Sequence, residues 1–252
     1  MHSVDMTTQR IVLITGGTSG IGLGLAKRYA QGGARVVITG RSAERLEQAR
    51  AELPGCLTIA GDLSLADARE RLADRVASEL GGLDVLVNNA GIQRRIDIAH
   101  DTAAWPERQA EIDLLFCAPI HLGTLLMPLL RAARHGGQVV NVTSGGAFNP
   151  QTFAPAYSAA KAALHSYTMN LRRALSGSGV TVTELIPPAV ATALAGPGQA
   201  HGADPDAFCD AVFPRIERGE AEVGFGPTDT PEFRERLSAE HARFEAFARR
   251  NG

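Results

Sequence analysis

The alternation of short apolar runs with longer amphipathic runs is the feature that most restricts the fold of this 252-residue chain. The short runs are rich in Val and Ile and apolar at nearly every position, which is typical of parallel strands covered on both faces. Predicted strands lie at residues 11–15, 35–40, 57–61, 83–91, 137–144 and 180–186, with a weaker seventh at 221–226. Predicted helices lie at 21–31, 42–53, 65–80, 107–134 and 155–176. Repeated strand–helix units predict one α/β domain over residues 1–252, an open, doubly wound parallel sheet of about seven strands with helices on both faces.

Charge and composition argue against several classes of function. Lys and Arg total 25 against 27 for Asp and Glu, a net charge of −2, and no run of like charges suggests a nucleic-acid partner. The three cysteines, Cys56, Cys117 and Cys209, form no CxxC motif, and the seven histidines form no HxxxH or HExxH pair. We therefore expect no disulfide scaffold and no metal site, and a reducing compartment fits best.

Two segments bear on location in the cell. Residues 1–10 contain no apolar stretch, so we expect no signal peptide. The apolar run at 114–130 is interrupted by Pro119 and Pro128 and is shorter than the ~20 residues of a membrane span, so it is interpreted as a buried helix. The sequence thus predicts a cytoplasmic protein without a membrane partner.

The stretch from residue 187 is irregular and rich in Pro, Gly and Ala. It is too long for an ordinary connection, which is typical of a lid. We expect a substrate loop at about 187–218.

A glycine-rich turn follows the first strand, with the sequence Thr15-Gly16-Gly17-Thr18-Ser19-Gly20-Ile21-Gly22. At this place the next helix presents free N–H groups and the positive end of its dipole, which favour a diphosphate. Gly16 would allow the sharp turn, Gly20 the approach of the diphosphate, and Gly22 the packing of helix on strand. The candidate cofactor-binding residues are Gly16, Thr18, Ser19, Gly20, Ile21 and Gly22. A glycine-rich turn that binds no ligand is the alternative.

The spacing TGxxxGxG of this turn is followed by three more motifs in order. They are Asn88-Asn89-Ala90-Gly91 after the fourth strand, Ser144 after the fifth, and Tyr157-xxx-Lys161 on the next helix. With these motifs the chain resembles the short-chain dehydrogenase/reductase family over roughly residues 10–222. Pro187-Pro188 and the APIHL stretch at 118–122 are similar to a subgroup named after a lipoteichoic-acid D-alanylation operon.

This resemblance implies a Rossmann-type domain, a nicotinamide dinucleotide and a small-molecule substrate. It also implies a homodimer or homotetramer, in which the helices at 107–134 and 155–176 would pack against other copies.

Three residues form the candidate catalytic group. Tyr157 and Lys161 are four apart and share one helix face. The pKa of a phenol is near ~10, and an adjacent ammonium lowers it toward useful acid–base chemistry. The Ser144 hydroxyl could hold a carbonyl oxygen on which negative charge develops. Taken singly, each of these patterns also occurs by chance.

The end of the second strand bears on the choice of cofactor. Family members that use NAD usually carry Asp or Glu there, whereas this chain has Gly40 followed by Arg41. A guanidinium binds a 2′-phosphate that a carboxylate would repel. We therefore predict NADP in preference to NAD, with an ordinary exposed arginine as the alternative.

The resemblance also assigns further cofactor contacts. Asp62 and Leu63 would flank the adenine, and Pro187, Val190 and Thr192 belong to the stretch that meets the nicotinamide. The remaining candidates are Asn89, Ala90 and Gly91 on the adenosine side, together with Tyr157 and Lys161; Asn88 is expected to be structural.

The chain departs from the family pattern at two places: Pro187-Pro188 stands where most members have Pro-Gly, and position 115 also differs. Leu115 stands where the family carries an Asn associated with a water beside the catalytic Lys. Leu has no side-chain hydrogen-bonding group, so we expect a working enzyme with an impaired proton relay. Asp113 would lie on another side of the helix and is interpreted as a surface carboxylate.

These observations predict an NADP(H)-dependent carbonyl reductase or alcohol dehydrogenase. Aromatic residues near the expected pocket favour a small to medium apolar substrate; they are Phe148, Phe153, Phe208 and Phe213. Leu115 keeps open a second hypothesis, a catalytically silent NADP-binding protein that senses redox state or regulates a partner.

Overall fold

A parallel sheet of seven strands organises the computed structural model, which describes residues 9–195 and 201–251. The strands are β1 (Ile11–Ile14), β2 (Arg35–Gly40), β3 (Leu57–Ala60), β4 (Val85–Asn88), β5 (Gly137–Val142), β6 (Val180–Ile186) and β7 (Glu222–Gly224). Their order is β3-β2-β1-β4-β5-β6-β7, and every neighbouring pair is parallel. The strand order reverses between β1 and β4, which opens a crevice at the carboxyl ends of these strands. The predicted fold class is confirmed, including the weak seventh strand.

The helices lie on both faces of this sheet. They are α1 (Gly20–Gln31), α2 (Ala43–Glu52), α3 (Ala66–Leu80), α4 (Trp105–Ile112), α5 (Ala118–Arg131), α6 (Pro155–Ala174), α7 (Pro205–Glu217) and α8 (Pro231–Asn251). One turn of π-helix, Asp113–Cys117, joins α4 to α5. The predicted stretch 107–134 is therefore two helices joined by this turn.

Alternate residues of each strand pack on opposite faces, which explains the continuously apolar strand sequences. In β1, Val12 and Ile14 belong to one core cluster and Leu13 to the other. The first cluster contains side chains of α1, α2 and α7, and the second contains side chains of α3 and α5. Burial on both faces accounts for the mostly apolar central strands, and the polar residues that they contain, such as Asn88, Gln138 and Asn141, are hydrogen-bonded.

The segment expected to be a substrate loop at 187–218 is partly helical, which corrects that expectation. Residues 205–217 form α7, and Arg28 of α1 pairs with Asp210 on it at 2.7 Å. Helix α7 is stabilised by packing on α1, and its Pro-containing sequence did not predict a helix. Residues 196–200 of the expected loop lie outside the described residues.

The long apolar helix of the middle of the chain is part of the core. Among the described residues, Trp105–Arg131 is long and apolar enough to cross a membrane by length and composition. Leu122, Leu126 and Leu130 on it are buried against the sheet in the second core cluster. This helix is therefore a core helix and not a membrane span.

Candidate active site

The glycine turn after β1 has a backbone that favours glycine at two positions. Gly16 has φ +65° and Gly20 has φ +55°, in the left-handed region that side chains disfavour. A Cβ atom on Gly16 would lie 2.8 Å from the Cα of Ala90, and one on Gly22 would lie 2.5 Å from the carbonyl oxygen of Gly16. The turn, α1 and the segment after β4 thus approach one another as closely as their backbones permit.

Asn89 and Thr15 hold this close approach. The Asn89 Nδ2 atom donates to the carbonyl oxygens of Thr15 at 2.9 Å and Gly16 at 3.1 Å. The Thr15 Oγ1 atom accepts from the backbone N–H groups of Asn89 and Ala90 at 2.9 and 3.0 Å. Asn88, by contrast, is buried and donates to Asn141 at 2.9 Å.

A groove of about 830 Å³ lies over the turn at the carboxyl ends of β1, β2 and β4. Its lining includes Gly16, Thr18, Ser19, Gly20, Ile21, Gly40, Arg41, Ser42, Arg45, Leu63, Asn89, Ala90, Gly91 and Thr192. Six predicted cofactor residues are not in this lining: Tyr157, Lys161, Pro187 and Val190 line the smaller pocket described below, and Gly22 and Asp62 line neither cavity. Gly22 packs beneath the turn, and Asp62 accepts hydrogen bonds from the N–H and Oγ of Ser64 at 3.0 and 2.8 Å.

The groove fits a dinucleotide. The side chain of Ser19 makes no capping hydrogen bond to α1, so the first-turn N–H groups of this helix stay available to an anionic ligand. A Cβ atom on Gly16 would contact Ala90, and one on Gly20 would lie 3.1 Å from Thr192 Cγ2; because both neighbours line the groove, side chains at these glycines would displace its walls. The volume also lies within the ordinary range of cofactor clefts, roughly 300–1,000 Å³. Within residues 9–195 and 201–251, no group of three His, Cys, Asp or Glu side chains is placed to hold a metal ion.

A smaller pocket of about 120 Å³ adjoins the groove and is lined by Ser144, Tyr157 and Lys161. Pro187 and Val190 also line this pocket. The residues that line both cavities are Ile21, Asn89, Gly91, Gln93, Thr192 and Leu194. The two cavities therefore form one continuous site.

The candidate catalytic side chains of Ser144, Tyr157 and Lys161 lie together at the carboxyl end of β5. Lys161 is 4 % exposed, and its Nζ donates to the Val142 carbonyl oxygen at 2.6 Å and lies 5.8 Å from the Tyr157 ring centroid. Ser144 Oγ accepts from the N–H of Gly146 at 3.0 Å. Helix α6 thus carries the phenol and the amine to a strand end that carries the hydroxyl.

Burial sets the acid–base character of this group. Desolvation raises the pKa of Tyr157, the Glu111 carboxylate raises it further, and a hydrogen bond with Ser144 opposes the change. The direction is opposite to the one expected from an adjacent ammonium, because burial dominates and the Lys161 ammonium is directed to the Val142 carbonyl. Burial also lowers the pKa of Lys161 to about 8.

Leu115 lies in the π-helical turn and is fully buried. It packs with Tyr157, Ala154 and Ala160 in a small apolar cluster. An apolar side chain therefore occupies the neighbourhood of the tyrosine. Asp113 does not replace the missing amide, since its carboxylate accepts from Gln109 at 3.2 Å.

Of the four phenylalanines expected near the pocket, one lies there and three do not, so the expectation is wrong for those three. Phe153 lines the pocket. Phe148 packs edge-on against Phe233, while Phe208 is buried beside Phe225, and Phe213 packs against Tyr29. Proximity in sequence to pocket residues did not indicate which way these rings face.

Several lining residues were not found from the sequence. Arg45 lines the groove one helical turn after Arg41 and Ser42, a spacing that could have indicated it. Gln93, Arg95, Gln151 and His201 line the pocket, and no local pattern marks them.

Comparisons with known proteins agree with this geometry. A family model described as short chain dehydrogenase matches residues 10–201. The chain is 46 % identical over 187 residues to the uncharacterized oxidoreductase DltE of Bacillus subtilis, covering 74 % of each protein. It is 33 % identical over 178 residues to the NADP-dependent 3-hydroxy acid dehydrogenase YdfG of Escherichia coli, covering 70 % of this chain and 71 % of that one. A short-chain dehydrogenase from Sphingobium yanoikuyae in complex with NADPH superposes with a TM-score of 0.83 at 25 % identity, covering 95 % of each chain. The resemblance drawn from the motifs is confirmed.

The lowered pKa of Lys161 predicts a pH-dependent stability. Between pH 8 and 10.5 the unfolded chain binds more protons at this residue than the folded chain, so the free energy of unfolding rises with pH across that window. Lys161→Met should remove this rise. In urea unfolding, the free energy of unfolding of wild type should rise between pH 7.5 and pH 9.5 by roughly 1–2 kcal/mol more than that of the variant.

The other lysine of the chain, Lys27, provides the matched control for this measurement. It is partly exposed and pairs with Glu52, so Lys27→Met should retain the wild-type pH dependence. If the free energy of unfolding changed equally with pH in wild type and Lys161→Met, the lowered pKa of Lys161 would be contradicted.

Proposed function

Because the chain belongs to the short-chain dehydrogenase/reductase family of oxidoreductases, we propose that it is an NADP(H)-dependent carbonyl reductase or alcohol dehydrogenase. The observation that carries this proposal is the continuity of the groove with the pocket. Side chains that can hold and protonate a carbonyl oxygen open onto the same space as the helix terminus that can bind a diphosphate.

The catalytic roles go to Ser144, Tyr157 and Lys161. Ser144 holds the carbonyl oxygen, and Tyr157 gives a proton to that oxygen in reduction or takes one in oxidation. Lys161, held at the end of β5 by the Val142 carbonyl, stabilises the phenolate that remains. The nicotinamide, when bound, supplies or accepts the hydride.

The cofactor roles follow the lining of the groove. Residues Gly16, Thr18, Ser19, Gly20 and Ile21 hold the diphosphate at α1, with Gly22 allowing the helix to pack close. Leu63, with Asp62 behind it, flanks the adenine, and Asn89, Ala90 and Gly91 contact the adenosine. Pro187, Val190 and Thr192 hold the nicotinamide end, beside Tyr157 and Lys161.

Arg41 favours NADP. It lines the groove, its side chain is 60 % exposed, and its separation of 3.8 Å from Asp62 is too long for a tight ion pair. Arg45 adds a second guanidinium nearby. Among similar proteins, YdfG is named NADP-dependent, whereas a 3-ketoacyl-(acyl-carrier-protein) reductase from Brucella melitensis, with a TM-score of 0.77 at 26 % identity, is a complex with NADH. The fold accepts either cofactor, so the choice rests on these side chains.

The size of the pocket favours a small to medium carbonyl compound or secondary alcohol. Phe153, Pro188 and Ala189 offer apolar surface to its carbon skeleton. Like other members of the family, the protein is proposed to be a homodimer or homotetramer. A cytoplasmic location is consistent with the buried free thiols of Cys56 and Cys209, whose pKa values burial raises to about 11.

A silent NADP-binding regulator is the second candidate function. It is favoured by the packing of Leu115 against Tyr157, which puts a methyl-bearing side chain where the relay amide is expected. The retained Tyr157 and Lys161 argue against it.

Tyr157→Phe separates these two functions. With NADPH and a panel of ketones and quinones, wild type should consume NADPH, and the variant should lose at least about 100-fold in kcat because the proton donor is gone. NADPH binding, measured by fluorescence titration, should change little. Wild-type binding of NADPH without turnover of any panel member would favour the silent regulator.

Arg41→Ala tests the choice of cofactor. Loss of a charge-assisted contact to the 2′-phosphate should weaken NADPH binding by roughly 10- to 100-fold and leave NADH binding nearly unchanged. Arg50→Ala is the control, since this exposed arginine pairs with Glu47 on α2 and does not line the groove. Equal losses for both cofactors would overturn the assignment.

Leu115→Asn tests the relay. An amide beside Tyr157 should raise kcat by up to about tenfold and shift its pH profile, because it can bind a water near Lys161. Leu115→Met keeps the position apolar and should leave the profile unchanged, and unfolding curves of both variants report any loss of stability. An unaltered profile in Leu115→Asn would show that the relay argument is wrong.

A further inference from the structure

Arg95 is an exposed cation that lines the pocket holding Ser144 and Tyr157. Its guanidinium carbon lies 4.0 Å from the centroid of the Phe153 ring, a cation–π contact. A backbone hydrogen bond of 2.9 Å from Ile96 N–H to the Phe153 carbonyl ties the two segments together. The ring therefore contacts the guanidinium directly, and the backbone hydrogen bond keeps the two segments side by side at the pocket.

The acidic groups of this segment have partners other than Arg95: Asp101 and Glu107 pair with arginines, Asp97 lies 2.8 Å from His100, and Glu111 accepts from the backbone N–H of Arg94. Arg94 pairs with Asp101 at 3.1 Å and Glu107 at 3.0 Å, and Arg108 lies 3.4 Å from Asp101. Arg95 itself forms no ion pair with any residue in the described ranges 9–195 and 201–251. The segment thus neutralises Arg94 and leaves the charge of Arg95 open to a ligand.

Two amides add donors beside this charge. Gln93 Nε2 donates to Gln151 Oε1 at 3.0 Å, and both side chains line the pocket. Gln151 keeps the N–H donors of its own Nε2 after this bond. A guanidinium and an amide with free N–H groups form a donor set that suits an anion.

We infer that Arg95 binds a carboxylate of the substrate, so that the proposed enzyme acts on short oxo acids and the corresponding hydroxy acids. The inference rests on the proposed function, which supplies the reacting carbonyl. The planar fork of a guanidinium matches a carboxylate with two parallel charge-assisted hydrogen bonds. The Phe153 ring, stacked on Arg95, also gives apolar surface to the carbons between the two polar ends.

The size of the pocket limits the length of this acid. A cavity of about 150 Å³ accommodates benzene, so a pocket of about 120 Å³, which the nicotinamide end of the cofactor would share, has room for only a few substrate carbons. The inference therefore concerns acids with a short chain between the carbonyl and the carboxylate.

The reaction balances without a further reagent. In reduction, the carbonyl carbon takes a hydride from the reduced dinucleotide and the carbonyl oxygen takes a proton from Tyr157. The products are the hydroxy acid, the oxidised dinucleotide and the Tyr157 phenolate, which regains its proton from solvent, and the carboxylate is unchanged.

Matched acids and esters test the inference. We expect wild type to reduce acetoacetate or 4-oxopentanoate with a higher kcat/KM than their methyl esters. Arg95→Gln should lower kcat/KM for the preferred acid by roughly 10- to 100-fold, because a hydrogen-bonded charge pair is lost, and leave the ester nearly unchanged. Arg95→Lys, which keeps the charge and loses the fork, should fall between wild type and Arg95→Gln.

A charge-matched control excludes long-range effects. Arg131 is exposed at the end of α5 and does not line the pocket, so Arg131→Gln removes the same charge and should preserve the acid-to-ester ratio. The inference is overturned if Arg95→Gln leaves this ratio unchanged. A wild-type preference for methyl acetoacetate or acetoacetyl-CoA over acetoacetate would also overturn it.

Binding without turnover separates this inference from the proposed function. Saturation-transfer NMR of 4-oxopentanoate with NADP⁺ present should show binding to wild type and its loss in Arg95→Gln. Arg95-dependent binding with no reduction of any carbonyl compound would support the anion site and refute the reductase. Tyr157-dependent reduction of neutral ketones, with neither acid preference nor Arg95-dependent binding, would support the reductase and refute the anion site.

Discussion

The contact between the glycine turn and the segment after β4 is the constraint on which the site depends. Gly16 and Gly22 remove side chains where backbones approach, and Asn89 closes the gap with hydrogen bonds to two carbonyl oxygens of the turn. This contact bridges the point at which the strand order reverses, so it fixes the terminus of α1 against the start of the coil that lines the pocket. A methyl group at Gly16 or Gly22 would separate these parts and disturb both cavities at once.

Burial shapes the chemistry of the site as much as its geometry. Desolvation moves the pKa of Tyr157 up and that of Lys161 down, so both changes favour the neutral forms. The phenol is thereby kept as a proton donor, which suits the reductive direction. A lysine at position 161 is suited to such tuning, whereas an arginine would keep its charge and remain a costly buried cation. Leu115 adds to the same apolar surroundings.

The sequence predicted the sheet well because both of its faces are buried, so the strands are mostly apolar, although β5 and β6 also bury polar residues such as Gln138, Asn141 and Glu184. It did not predict α7 or α8. Helix α7 carries Pro205 and Pro214 and gains its stability from α1, while α8 is strongly charged with few apolar positions. The motif residues Ser144, Tyr157 and Lys161 were found because their spacing is local, and the structure brings them together in one pocket. Arg95 and Gln151 were not, since coil segments distant in sequence place them there. Phe208 and Phe213 face elsewhere because they lie on α7, which packs on α1, and Phe148 does so because it packs against Phe233 of α8.

The walls of the pocket come from two kinds of structure. Ser144, Tyr157 and Lys161 are anchored to β5 and α6, whereas Gln93, Arg95, Gln151 and Phe153 belong to coil. Replacements in the coil can alter which molecules enter without disturbing the sheet that carries the reacting groups. Evolution can therefore diversify the substrates of such an enzyme through a handful of positions, while selection for foldability acts on a separate set.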